Sequence, residues 1–135
     1  MVFTTLFSLF GCGKNQTADG STPECFEYRE SGYTRGFSFT IDNGKLIFEN
    51  YDEGTKAKRK LDTALTNELM QVLDKYDIYS WNGFDEVDEE VLDGMGFTLF
   101  IKLSDGTIIS ANGNNRFPKE YFEFKKSMIE LVNGK

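Results

Sequence analysis

The sequence predicts an α+β fold, a mainly antiparallel sheet built from hairpins with two helices packed on one face. Three observations carry this. Residues 37–51 and 97–111 each alternate apolar and polar side chains on both sides of a turn rich in Asp, Asn and Gly. Each of these hairpins is followed by a stretch, residues 65–76 and 117–132, in which apolar residues recur at three- and four-residue intervals. The chain also has the size and apolar content of one domain, with 135 residues, 39% of them hydrophobic and 15% aromatic.

In the first hairpin, Phe37, Phe39 and Ile41 alternate with Ser38 and Thr40, so one face of the strand is apolar. Asp42-Asn43-Gly44 supplies residues that tolerate positive φ, which a tight hairpin turn requires. Residues 45–51 return as the partner strand, with Leu46 and Phe48 on one side. Phe26 and Tyr28 alternate with charged residues and mark an earlier strand. Residues 55–61 read as a cationic edge strand whose lysines discourage edge-to-edge pairing.

The first helix carries Leu65, Leu69, Val72, Leu73 and Tyr76 on one stripe, with Thr66 as its predicted N-cap and Glu68 near the positive end of the dipole. The second hairpin follows, with Phe97, Leu99, Ile101 and Leu103 on the apolar side, Ser104-Asp105-Gly106-Thr107 as the turn and residues 108–111 as the return. The second helix is predicted to start at Phe117-Pro118, with Pro118 in its first position. Its stripe is Tyr121, Phe124, Met128, Leu131 and Val132, and Gly134 ends it. Gly36-Phe37-Ser38-Phe39 and Gly96-Phe97-Thr98-Leu99 open the two hairpins alike, about sixty residues apart, which raises a tandem hairpin–helix duplication beside the alternative of coincidence.

Before this domain, placed at residues 25–135, come two segments of different character. Residues 1–11 are uncharged and mostly apolar, too few to span a bilayer but of signal-peptide length. Leu9-Phe10-Gly11-Cys12 resembles the lipobox of bacterial lipoproteins. That resemblance implies cleavage before Cys12, transfer of diacylglycerol to its thiol, and attachment of the protein to the outer face of the bacterial cell membrane. Residues 12–24 are small, polar and aperiodic, as a tether should be. The alternatives are an N-terminal strand burying Phe3, Leu6 and Phe10, and, for a secreted form, a Cys12–Cys25 disulfide.

Composition narrows the function classes. The chain has 22 acidic and 15 basic residues, a formal charge of −7, which argues against a nucleic-acid surface. It has no histidine, which removes Ser-His and Cys-His nucleophile pairs and most zinc chemistry. No cofactor motif is present: no glycine-rich phosphate loop follows a strand.

The densest polar feature is the acidic run from Asp85 to Asp93, six carboxylates in nine positions. Oxygen ligands at that density suit a hard cation such as calcium, but the spacing is not that of a twelve-residue calcium loop, so a solvated loop is the plainer reading. Paired carboxylates also run glycoside hydrolysis, which needs one acid desolvated. Trp81 and Phe84, beside this run, read either as an aromatic platform with Asp85 as an acidic wall, for a sugar or a cationic peptide, or as core residues. Asn112-Gly113-Asn114-Asn115-Arg116 reads as a polar loop ahead of the second helix, with Arg116 placed to assist an anion or simply to connect.

The order Trp-x-Gly-Phe, acidic run, Gly-Phe-Thr-Leu, Asp-Gly and Phe-Pro before a final helix, over residues 33–133, resembles small surface lipoproteins of Gram-positive bacteria. The resemblance implies a location and a layout and transfers no catalytic residue. The leading expectation is therefore a lipid-anchored, extracytoplasmic, non-enzymatic module that binds a protein, peptide or glycan, with Trp81, Phe84, Asp85 and Arg116 as candidate ligand-binding residues. Two rivals are a small carboxylate-dependent hydrolase acting on cell-envelope glycan and an inhibitor or immunity-type protein that presents an acidic surface to a cationic site.

Overall fold

The computed structural model describes residues 21–90 and 94–134. The leader and Cys12 lie outside them, as does Asp93 at the end of the acidic run. The strands are β1 (Pro23–Ser31), β2 (Phe37–Asp42), β3 (Lys45–Asn50), β4 (Thr55–Lys60), β5 (Asp85–Val87), β6 (Gly96–Leu103) and β7 (Ile108–Asn114). The helices are α1 (Thr63–Lys75) and α2 (Tyr121–Asn133), with a short 3-10 helix at Ile78–Trp81. All strands join one sheet in the order β4-β3-β2-β1-β6-β7-β5. Every pairing is antiparallel except that of β5 with β7. The α+β expectation holds.

Period-two alternation decides which side of the sheet is covered. On β1, Phe26, Tyr28 and Glu30 are buried while Glu27 and Arg29 are exposed. On β6, Phe97, Leu99, Ile101 and Leu103 are buried while Thr98, Phe100 and Lys102 are exposed. The buried phase packs with Leu65, Leu69, Met70 and Leu73 of α1 and with Tyr121, Phe124, Met128, Leu131 and Val132 of α2 in one core. The two helices thus share one face, and the opposite face carries no helix among the described residues. Burying this apolar surface is the main driving force for the fold.

Local chemistry accounts for the turns and caps. Asn43 and Gly44 both take positive φ, at 52° and 72°, and Asp42 pairs with Lys45, giving the two-residue hairpin the sequence indicates. The second hairpin turns at Gly106, φ 93°. β4 is an edge strand, as its lysines suggest. The cap of α1 is Asp62 rather than Thr66: its Oδ1 accepts from the Leu65 amide at 2.9 Å. The helix begins two residues before the apolar stripe does, because Thr63 and Ala64 face outward and leave no periodic signal. Asp62→Ala should lower stability by about 1 kcal/mol, and Thr66→Ala by much less, when urea midpoints are compared.

α2 begins later than predicted. Phe117 and Pro118 stay outside it, and the chain turns through Glu120, φ 64°, before Tyr121 starts the helix. Phe117 instead stacks against the rings of Phe97 and Tyr121, at 5.8 and 4.6 Å between centroids. Gly134 closes the helix in the left-handed conformation, φ 76°, as expected.

β1 begins at Pro23, inside the stretch read as tether. Thr22 and Ser104 tie it down, since the Thr22 amide donates to Ser104 Oγ at 3.0 Å and the Ser104 amide donates to the Thr22 carbonyl at 2.7 Å. A register shift between Pro23 and Cys25 leaves Cys25 exposed. The likeness of the two hairpins has a structural counterpart. Glu30 of β1 pairs with Phe37 on one side and Phe97 on the other, and Tyr28 pairs with Phe39 and Leu99. The elements that follow differ, because β3 continues into β4 before α1, whereas β7 leads to α2 directly.

Candidate functional site

Trp81 sits at the end of the 3-10 helix and is 4% exposed. Its ring stacks on Tyr121 at 6.0 Å and meets Phe124 and Phe97 edge-on at 5.2 and 6.4 Å. It is a core residue, so the open platform with Phe84 does not form. Phe84 is half-buried beside Phe97, 6.2 Å between centroids. Arg116 lies away from the start of α2 and faces Asp88 at 3.9 Å, in an exposed pair of small energetic consequence. Asp85, by contrast, stands on the open side of the molecule and is exposed.

The acidic run begins as a strand rather than a loop. Asp85, Glu86 and Val87 pair in parallel with Asn112, Gly113 and Asn114, which the sequence reading placed in a polar loop. Neither strand segment shows apolar alternation, because β5 is an exposed edge strand and the inward position at this end of β7 is taken by Gly113. Gly113 faces inward under Phe97: a Cβ there would stand 2.6 Å from the Phe97 ring. Among the described residues no group of three or more acidic or cysteine side chains is placed to hold a metal ion.

β5, β7, β6 and β1 together floor a groove of about 900 Å³ on the uncovered face. Its depth comes from small residues. Gly96 lies between Ser31 and Asn114 in the register, and Gly32 and Gly94 meet backbone to backbone, so that a Cβ on Gly32 would stand 2.1 Å from the Gly94 carbonyl. Thr98 and Asn112 pair across its floor, and β5 closes one end, with Asp85 on the groove face beside Asn112 and Glu86 projecting to the other face beside Gly113. Arg29 and Tyr33 line the β1 end, where Tyr33 is 72% exposed.

The charges along the groove are unequal. Arg29 is held by Glu27, with Nε–Oε2 at 2.9 Å and NH2–Oε2 at 2.7 Å, and this hydrogen bond raises its pKa. Its NH1 also reaches the Tyr51 hydroxyl at 3.5 Å, which in turn bonds Ser38 Oγ at 2.9 Å. Asp85 and Glu86 form no ion pair among the described residues. The groove therefore keeps a negative end with no counter-charge of its own.

A second polar assembly, missed by the sequence reading, lies inside the core. Glu30, 7% exposed, is the buried charged residue among those described. The Tyr121 hydroxyl donates to its Oε2 at 2.6 Å, the Tyr28 hydroxyl donates to that of Tyr121 at 2.8 Å, and Lys125 Nζ donates to its Oε1 at 2.9 Å. Burial, the largest cause, pushes the pKa of both tyrosines up. Every member is bonded to another, so the chain acts as a polar clamp between β1 and α2. A signal for it existed: Glu30 falls on the buried phase of β1, in step with Phe26 and Tyr28.

Comparison of the chain with protein-family models, curated proteins and solved structures finds no match.

Proposed function

We propose that this protein is a lipid-anchored, extracytoplasmic binding module. The lipid sits on Cys12, and the groove on the open sheet face receives a protein, peptide or glycan at the cell envelope. The observation that carries the reading is the division of the sheet: one face lies under both helices, while the other holds a groove of about 900 Å³ lined by polar side chains. The anchor is supported by the sequence at Leu9–Cys12. Recognition rather than turnover is the reading that fits an exposed Asp85 on an open face, in a chain with no histidine to pair with it.

Two measurements test the two halves. An alkyne-tagged fatty acid fed to a Gram-positive host that expresses the full chain should label the protein, and Cys12→Ser should abolish the label. An unlabelled wild type with Cys12 intact overturns the anchor. Separately, amide NMR of the chain titrated with pentalysine and with chitotetraose should show shifts gathered at Thr98, Asn112 and Asp85 for at least one of them. Shifts absent from these residues with both probes overturn the groove as the binding surface.

A further inference from the structure

We propose that the groove takes an extended peptide segment bearing lysine or arginine, with the cationic side chain seated at Asp85. This rests on the reading of the open face as a binding surface and names the ligand class. Charge complementarity selects the occupant. Among the described residues the groove is lined by one cation, Arg29, which is already matched by Glu27, whereas Asp85 has no ion-pair partner. An anionic ligand meets the unopposed Asp85 carboxylate and, among the described residues, no free cation there. A neutral sugar can donate its hydroxyls to the carboxylate but leaves the charge uncompensated.

Dimensions and chemistry favour a peptide over a lone cation. The groove crosses from β1 to β5, three strand spacings or roughly 14 Å, which about four residues of extended chain fill. Between the ends, Thr98 and Asn112 offer a hydroxyl and an amide, groups that both donate and accept and so match peptide N–H and C=O. At the far end the Tyr33 ring, largely in solvent, offers a flat apolar face that an aliphatic stem or a second cation covers.

The test is a titration of the full chain with pentalysine at low ionic strength. Asp85→Asn/Glu86→Gln should weaken binding about tenfold. Glu89→Gln/Glu90→Gln, which changes the net charge by the same two units at exposed positions outside the groove, should leave affinity within about twofold. Equal weakening by both pairs means that the field of the whole molecule attracts the peptide, and overturns the proposal. Chitotetraose moving the Thr98 and Asn112 amides while pentalysine does not also overturns it, yet leaves the groove standing as a binding surface. Thermal melting of each variant checks that the fold is intact, and Asp85→Lys provides a second charge change at the same exposed site, expected to abolish binding.

Discussion

Replacing Trp81 with Ala should lower the free energy of unfolding by about 3–5 kcal/mol, the cost of removing a large buried aromatic whose site collapses only in part. The ring is 4% exposed and touches Tyr121, Phe124 and Phe97, which belong to α2 and β6. Its loss therefore loosens the packing of helix on sheet at the middle of the core. Trp81→Phe, which keeps an aromatic in place, should recover part of that loss. Denaturant unfolding of the three proteins measures the effect. The same variants separate the two meanings of a tryptophan in this position: a core residue changes stability, whereas a ligand platform changes affinity and leaves the unfolding midpoint in place.

The second large effect concerns the clamp of Tyr28, Tyr121, Glu30 and Lys125. Glu30→Ala should cost about 2–3 kcal/mol, because it strands the Tyr121 hydroxyl and removes the partner of Lys125. The figure sits at the low end for a buried pair because the Lys125 side chain is 26% exposed and recovers some hydration. Tyr121→Phe should cost about 1–2 kcal/mol, since it leaves both Tyr28 and Glu30 one hydrogen bond short.

The clamp also sets an alkaline limit. Burial raises the pKa of Tyr28 and Tyr121 above the ordinary tyrosine value. Above about pH 10 the unfolded chain therefore loses phenolic protons that the folded chain retains. The stability these groups contribute is complete below that pH and is lost as pH rises beyond it, by up to about 1.4 kcal/mol per pH unit for each group. Urea midpoints taken between about pH 8 and about pH 11 should fall steeply past pH 10, and in Tyr121→Phe the slope should be about one third shallower, since Tyr28 and Tyr79, both raised by burial, remain. Phenolate absorbance growing for every tyrosine at about pH 10 with the fold unchanged contradicts the clamp.

How much of this was legible in the sequence follows from which residues face the core. Phe37, Phe39, Phe97, Leu99 and Ile101 must be apolar because helices cover them, and their period announces both hairpins. The stripe from Tyr121 to Val132 announces α2 for the same reason. β5 is an exposed edge strand, and the end of β7 carries Asn on its open side and Gly on its inner side, so nothing in their pattern marks a strand. Pro118 suits a helix start in isolation, but the ring of Phe117 packs in the aromatic cluster and holds the chain out of the helix until Tyr121.

The candidate site was less legible than the fold, because the groove is a property of register. Gly32, Gly94 and Gly96 come together only when β1 and β6 pair, and no local spacing connects them to Arg29 or Asn112. Asp85 alone of the four candidate residues lines the groove. Trp81 drew notice as a large aromatic beside a polar run, and its burial follows from the turn that the 3-10 helix makes into the core. The same run supplies one residue that lines the groove, Asp85, which its pairing with Asn112 sets beside the floor.

One measurement bears most directly on the division of labour between the two sheet faces. Thr98 is exposed on the groove floor, and a Thr98→Trp variant fills the groove while leaving the helix-covered face untouched. Its pentalysine titration, run beside thermal unfolding, should show affinity reduced by about tenfold or more with the melting temperature within a few degrees of wild type. Unchanged affinity, or a fall in stability that accompanies the fall in affinity, would contradict the assignment of stability to one face and recognition to the other.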